Sequence, residues 1–390
     1  MSHCEPIVMK IIADKNIPLV KQVFSHLGRV ETVPAGMITQ ELVCDADILL
    51  VRSVTSIDEP LLAGSRVKFV ATSTSGVDHV DRGYLDSRRV GFAYAPGSNA
   101  QSVAEYVITA LHYCGLKHSF ALKDKVVGIV GVGHIGKRVL HMARGLGMRC
   151  LCNDPPRARR EGPGKFVTLD ELLAVADIIT LHVPLTDKGP DATLRLVDET
   201  FLSRMKRGAF LINTSRGRVI DEATLKKMRE KLGGLVLDVW DNEPSIDTEL
   251  LAMTDCGTPH IAGYSYDGKI NGAGMVYRAV CDFLGQEPRW KPSEHLAVIP
   301  ICELSLPSTC ADPLSEAVLR AYPIGRDVGD MRGLIAMPAE DGARYFARLR
   351  EHYPRRLEFK HFSIHTRADD AVARTPSTRQ DLAGLGFQLK

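Results

Sequence analysis

The stretch KVVGIVGVGHIGK, residues 125–137, constrains the fold more than any other part of this chain. A continuous apolar run, fit for a strand covered on both faces, leads into Gly131, Gly133 and Gly136, spaced as G-x-G-x-x-G. A helical pattern follows through Val139, Leu140, Met142, Ala143 and Leu146. The next apolar run ends at Asp154, 21 residues beyond Gly133. In this order the parts fit a dinucleotide site. Gly131 permits a tight turn, Gly133 lets backbone approach a pyrophosphate, and Gly136 lets helix and strand pack closely. The helix N-terminus then presents N–H groups and a positive dipole end to phosphate. Asp154 is placed to accept hydrogen bonds from ribose hydroxyls and to repel a 2′-phosphate, which favours NAD over NADP. Arg157, Arg159 and Arg160 follow closely and leave that choice open.

Apolar runs alternate with helical patterns over most of the chain. Strands are expected at 7–14, 47–53, 68–75, 91–95, 125–131, 149–154, 177–183, 209–215 and 234–240. Strands separated by helices read as βαβ units around parallel sheets. ELVCDADILLVRS (41–53) echoes ELLAVADIITLHVP (171–184), which suggests two similar α/β lobes or simply the shared grammar of helix-to-strand turns. A helix is expected within 95–114, capped by Ser98, Asn99 or Ser102, and a second crossing near 258–270 leads into a helix at roughly 266–285. Two lobes joined twice imply a hinge and a cleft. Beyond Pro288 a small third unit is expected, with a helix at 341–356 and a strand at 359–366, and the end reads as a surface helix and a tail.

The 390 residues carry a net charge of +2, so nothing points to broad capture of nucleic acid or membrane, and any anion site must be local. Nine cysteines without a Cys-x-x-Cys pair give no metal-site spacing and read as reduced thiols in a cytoplasm. The start lacks the pattern of a secretory signal, and no run approaches a membrane-spanning helix.

Three further motifs sit at expected strand ends, where open parallel sheets bind ligands. These are NTSRG (213–217), DVWDNEP (238–244) and GTPHIAGYS (257–265). Oxidising an alcohol beside a carboxylate requires a base, a cation for the carboxylate and an acid that orients the base. His260, Arg216 and Glu243 are those residue types.

Taken together, VGIVGVGHIGKRV, LHVPLT, AFLINTSRGRVIDE, LDVWDNEP and TPHIAGYS resemble the D-2-hydroxyacid dehydrogenase superfamily over about residues 7–285. VRSVT, STSGVDHVD, CNDPPRA and HIAGYS resemble, more narrowly, its 4-phosphoerythronate dehydrogenase branch. AYPIGRDVGDMR and YFARLREHYPRR resemble that branch's C-terminal dimerisation domain. The resemblance implies an α/β fold of two doubly wound parallel-sheet lobes, a Rossmann NAD lobe and a flavodoxin-like substrate lobe, with a small α+β C-terminal dimerisation domain. It divides the chain into a substrate lobe (1–97 and 260–287), an NAD-binding lobe (98–259) and a dimerisation domain (288–390). It implies an NAD-dependent cytoplasmic homodimer acting in pyridoxal phosphate biosynthesis, with Arg216, Glu243 and His260 catalytic. NAD contacts are then expected from Gly131, Gly133, His134, Ile135, Gly136, Asp154, Val183, Thr214, Ser215, Arg216, Asp238 and Gly263. Arg52, Ser53, Thr74 and Tyr264 are expected to meet a phosphorylated 2-hydroxy acid, with Thr55, Ser73 and Ser75 as further phosphate donors. The alternatives are a dehydrogenase for phosphoglycerate or another 2-hydroxy acid, and an NAD-sensing corepressor-like binding protein.

Overall fold

The computed structural model describes residues 9–307, 310–365 and 376–390. It divides into two compact units, Met1–Asn99 with Tyr266–Ile299, and Ala100–Ser265 with Pro300–Lys390. The start of the first expected strand (7–8) and residues 366–375 of the C-terminal stretch lie outside the described residues.

The first unit holds a parallel sheet of β1 (Lys10–Asp14), β2 (Arg29–Val33), β3 (Ile48–Val51), β4 (Phe69–Thr72) and β5 (Gly91–Tyr94). Their order is β2-β1-β3-β4-β5. The strands β3 and β4 are buried at every position, as expected of a sheet covered on both faces. The strand β2, RVETV, carries no apolar run and escapes a reading based on one, because it forms the half-exposed edge. The strand order reverses between β1 and β3, so the C-terminal ends of these two parallel strands border the crevice where such sheets take ligands. The helix Tyr266–Leu284 returns to this unit and packs Val276, Tyr277 and Val280 against Ile11, Phe24, Ile48 and Phe69.

The second unit holds β6 (Val126–Val130), β7 (Arg149–Asn153), β8 (Ile178–Leu181), β9 (Phe210–Asn213), β10 (Gly234–Leu237) and β11 (Cys256–Gly257), all parallel, in the order β11-β10-β9-β8-β6-β7. Five of them repeat the order of the first sheet, which gives the echo between 41–53 and 171–184 a topological counterpart. Val167 lies against the free edge of β7, donating to the Cys152 carbonyl at 2.9 Å, where a Rossmann sheet places its third strand. Helix starts are marked by aspartates: Asp58, Asp81, Asp154, Asp198, Asp221, Asp247 and Asp312 each accept an orphan backbone N–H.

Residues 300–390 share a core with the nucleotide-type sheet. Val318, Tyr322, Ile324 and Leu382 cluster with Val107, Leu111, Val139 and Met142. Within the expected surface helix and tail, Pro376–Leu385 is a helix that buries Leu382 and Leu385, and Phe387 stacks on Phe359. There β12 (Cys302–Leu304), β13 (Phe362–Ile364) and β14 (Gln388–Leu389) form a small parallel sheet. Three buried side chains scattered among polar ones were too sparse a pattern to show a core-facing helix.

The expected return at 260 falls instead after Ser265, and a buried polar cluster explains the shift. Ser102 lies inside the helix Ala100–His118 rather than capping it; its hydroxyl donates to the Ala262 carbonyl (2.9 Å) and accepts from the Ser265 N–H (3.0 Å). Arg356 contacts the Ser102 hydroxyl and the Ala262 carbonyl and lies 4.4 Å from the centre of the Tyr322 ring. Glu358 accepts from Ser265, and Glu105 accepts from the Phe359 N–H. Burial, then the nearby Glu358, pushes the Glu105 carboxyl well up.

Removing one partner from a buried charge cluster costs about 3–5 kcal/mol. Arg356→Met should therefore lower the unfolding free energy by about 3 kcal/mol in urea denaturation. His112 supplies a pH-dependent counterpart. Its ring is buried, bonded at Nδ1 to Ser315 (2.8 Å), and burial pushes its pKa down to about 4. In the unfolded chain it protonates near 6.5, so acidification from pH 7 to 4 favours unfolding by at most about 3 kcal/mol. His112→Gln should flatten that part of the stability–pH curve.

Candidate active site

The glycine loop leaves β6 and enters the helix His134–Gly145. Gly131 has φ +84°, and a side chain there would press against the His182 carbonyl at 2.5 Å. A side chain on Gly136 would meet the Gly131 carbonyl at 2.1 Å. Gly133 faces open space with nothing within 4 Å of a built Cβ. Gly133 and His134 are exposed and Ile135 half-buried, at the start of a twelve-residue helix whose first N–H groups lack intrahelical partners. These residues fit a dinucleotide pyrophosphate. Val183 lies beside Gly131, and His182 is held between the hydroxyls of Thr180 (3.0 Å) and Thr214 (3.3 Å). Burial pushes the His182 pKa down to about 3, so the ring is neutral.

Asp154 stands at the end of β7. Its Oδ2 accepts from the Val132 N–H at 2.8 Å and its Oδ1 from the Arg157 N–H at 3.1 Å. Each oxygen keeps acceptor capacity, as an ionised carboxylate has about four lone-pair sites. The three neighbouring arginines are already paired: Arg157 bidentately with Glu161 (2.7 Å twice), Arg159 with Asp191, and Arg160 with Glu161. The three guanidiniums share two carboxylates, Glu161 and Asp191, which weakens the sequence argument for a 2′-phosphate.

Arg216 follows β9 in a loop tied by Asn213. The Asn213 amide donates to the Arg216 carbonyl (2.9 Å), and its Oδ1 accepts from the Ser215 N–H (3.0 Å) and hydroxyl (2.7 Å). Arg216 Nη1 donates to the Ser215 carbonyl at 2.7 Å. The next residue, Gly217, touches the backbone of Trp240: a Cβ there would lie 2.0 Å from the Trp240 carbonyl. That contact brings the Arg216 loop against the segment carrying Glu243.

Glu243 and His260 form the pair expected from the sequence. Glu243 Oε2 lies 2.7 Å from His260 Nδ1, and Oε1 accepts from the Trp240 N–H at 2.9 Å. Burial opposes the charge on Glu243, but His260, Arg350 and the Trp240 N–H outweigh it and hold the carboxyl below the usual range. His260 has φ +57° and a side chain one-third exposed (33%). The buried Asp238 fixes this backbone: its carbonyl accepts from the His260 N–H (2.7 Å), and its carboxylate accepts from Thr258, Ile261 and Ala262 at 2.7–2.9 Å. Burial pushes the Asp238 carboxyl up despite these donors. Gly263 and Tyr264 continue the loop, half-buried.

In the first unit, Arg52 follows β3 directly and its Nε donates to Oδ2 of the buried Asp14, at the end of β1, at 2.8 Å. Ser53 is exposed. Thr74 bonds Thr72 (2.8 Å) and the Gly76 carbonyl (3.0 Å), while Ser75 bonds Asn99 (2.8 Å). Ser73 is half-buried and Thr55 buried.

Sequence reasoning did not find Asp14, Gly217, Glu222 or Arg350. Glu222 accepts from the Asp241 N–H at 2.8 Å, and burial pushes its pKa up to about 7. Asp14 and Gly217 carried a signal, since one closes a strand and the other follows Arg216. Nothing local marks Arg350, which lies far along the chain.

Comparison with known proteins identifies the family. Residues 112–262 match the family described as D-isomer specific 2-hydroxyacid dehydrogenase, NAD binding domain. The erythronate-4-phosphate dehydrogenase of Salinibacter ruber is 44% identical over 98% of this chain and 99% of its own length. That of Cronobacter sakazakii is 44% identical over 94% and 96%. Among solved structures, an NAD-bound 3-phosphoglycerate dehydrogenase from Entamoeba histolytica aligns with TM-score 0.62 and 28% identity over 71% of this chain and 96% of its own. A D-lactate dehydrogenase from Aquifex aeolicus, complexed with NAD and lactic acid, aligns with TM-score 0.57 and 25% identity over 71% and 95%. The chain belongs to the erythronate-4-phosphate dehydrogenase family of NAD-dependent D-2-hydroxyacid dehydrogenases.

Proposed function

We propose that this protein oxidises the C2 hydroxyl of 4-phospho-D-erythronate to give 2-oxo-3-hydroxy-4-phosphobutanoate, a step of pyridoxal phosphate biosynthesis. The observation that carries this reading is the Glu243–His260 pair at 2.7 Å, beside a loop that offers Arg216. Bound NAD supplies the hydride acceptor. With the Glu243 carboxylate on Nδ1, the proton resides there and Nε2 is left as an acceptor. His260 Nε2 then takes the hydroxyl proton as the C2 hydride departs, leaving a carbonyl, NADH and an imidazolium that passes its proton to water. Glu243 orients the ring and stabilises its charged form. Arg216 grips the substrate carboxylate with its planar fork. In the reverse direction the imidazolium is the acid.

The glycine loop with His134 and Ile135, together with Asp154, Val183, Thr214, Ser215, Asp238 and Gly263, holds the cofactor in this reading. Arg52, Ser53, Thr74 and Tyr264 hold the substrate, with Arg52 on its phosphate. Asp14 takes only the Nε edge of Arg52, at 2.8 Å, and so orients the guanidinium while its two terminal nitrogens remain available as donors to a phosphate. We assign residues 288–390 to homodimerisation and the protein to the cytoplasm. Among the described residues no helix is long and apolar enough to cross a membrane.

His260→Ala and Arg216→Ala should each lower kcat/KM by roughly a hundredfold or more while NAD binding, followed by NADH fluorescence, is retained. Undiminished turnover in both variants is the outcome incompatible with this chemistry. A charge-assisted phosphate contact is worth about 1.5–3 kcal/mol, or roughly ten- to a hundredfold. Arg52→Ala should lose that factor in kcat/KM for 4-phosphoerythronate and almost none for erythronate. An enzyme that prefers phosphoglycerate or an unphosphorylated acid in the same panel would redirect the substrate assignment.

A further inference from the structure

Arg350 reaches the acid–base pair from a part of the chain remote from β6–β11. It lies on the helix Ala339–Glu351, whose Phe346 is fully buried against the cluster of Met331 and Leu334. Its Nη1 is 3.9 Å from Glu243 Oε2, the oxygen that faces His260 Nδ1. Its guanidinium lies 5.7 Å from the centre of the Tyr264 ring. The side chains of Arg350 and Glu243 are only 17% and 18% exposed, so water screens the pair weakly. The aligned solved structures are covered by 95–96% of their own length yet cover only 71% of this chain, so over a quarter of it has no counterpart in them.

We propose that Arg350 is a positioning and charge-setting residue for the proton transfer, sharing the Glu243 carboxylate that contacts His260 and offsetting its charge. This rests on the reading of His260 as general base. Among the described residues, the charged groups at the imidazole are Glu243 across the 2.7 Å contact, Asp238 beneath the loop and Arg350 behind Glu243, with Arg216 on the adjoining loop. The two carboxylates favour the imidazolium, and Arg350 is the cation that offsets them. Burial works against the charge of Arg350, but Tyr264 and Glu243 more than restore it. A base must be unprotonated to act, so this offset extends the working range of oxidation toward lower pH.

The test is the pH profile of kcat/KM for 4-phosphoerythronate oxidation in the full-length protein. Arg350→Met should move the acidic limb upward by about half to one pH unit. Arg350→Lys, which keeps the charge, should leave the limb close to that of the parent. If the Met variant does not fold, judged by its thermal transition and NADH binding, Arg350→Gln carries the same comparison. A neutral variant with a lowered plateau and an unmoved limb would show a packing role and overturn the inference, as would an equal shift in Arg350→Lys. His260→Ala separates the two levels: retained activity there removes the base itself, whereas an inactive His260→Ala with an unmoved Arg350 limb removes only this inference.

Discussion

The carboxylate of Asp238 organises the chemistry of this protein without being free to react. It lies at the end of β10, almost wholly enclosed, and takes three hydrogen bonds from the segment Thr258–Ala262. Those bonds hold a histidine in a left-handed backbone conformation that a non-glycine residue adopts only under constraint. The direction of the His260 ring follows from that backbone, and Glu243 fixes its rotation. Removing a buried acceptor with three donors would leave several N–H and O–H groups unsatisfied, each costing about 1–3 kcal/mol. The proton-transfer apparatus is therefore a consequence of sheet geometry, since strand, loop and ring are connected by bonds that leave little freedom.

Much of this was legible before any coordinates. Runs such as ILLV, IITL and FLIN announce doubly covered strands because a parallel sheet hides both faces, and all three strands form where they were expected. The glycine spacing foretold three different steric demands, and Gly131, Gly133 and Gly136 meet them in three different ways: a positive φ, open space, and contact with a carbonyl. What stayed hidden depended on distance along the chain or on weak local pattern. RVETV forms an edge strand without an apolar signature, and the C-terminal helix buries too few side chains to declare its inner face. The pairing of Arg157, Arg159 and Arg160 with Glu161 and Asp191 was equally invisible, because ion pairs between loops leave no periodicity.

The buried polar cluster around Arg356 belongs to the same class of hidden feature. Ser102, Glu105, Ala262, Ser265 and Glu358 come from three distant stretches, and each alone reads as an ordinary helix or loop residue. Together they fasten residues 300–390 to the loop that follows His260. The C-terminal stretch is thus part of the framework that holds the site, through Arg356 at the loop's base and through Arg350 at the charged pair.

The late return of the chain to its first sheet has a consequence for biosynthesis. The face formed by Ile11, Ile48, Phe69 and Ala71 is covered by Ala273, Val276, Tyr277 and Val280, which emerge from the ribosome only after the whole intervening nucleotide-type sheet. At about 5–20 residues per second, roughly 10–35 s separate synthesis of residue 99 from that of the covering helix. Throughout that interval the only early cover on that face, among the described residues, is the segment carrying Val20, Val23, Phe24 and Leu27, so the newborn sheet keeps part of its apolar surface open to aggregation until the late helix arrives.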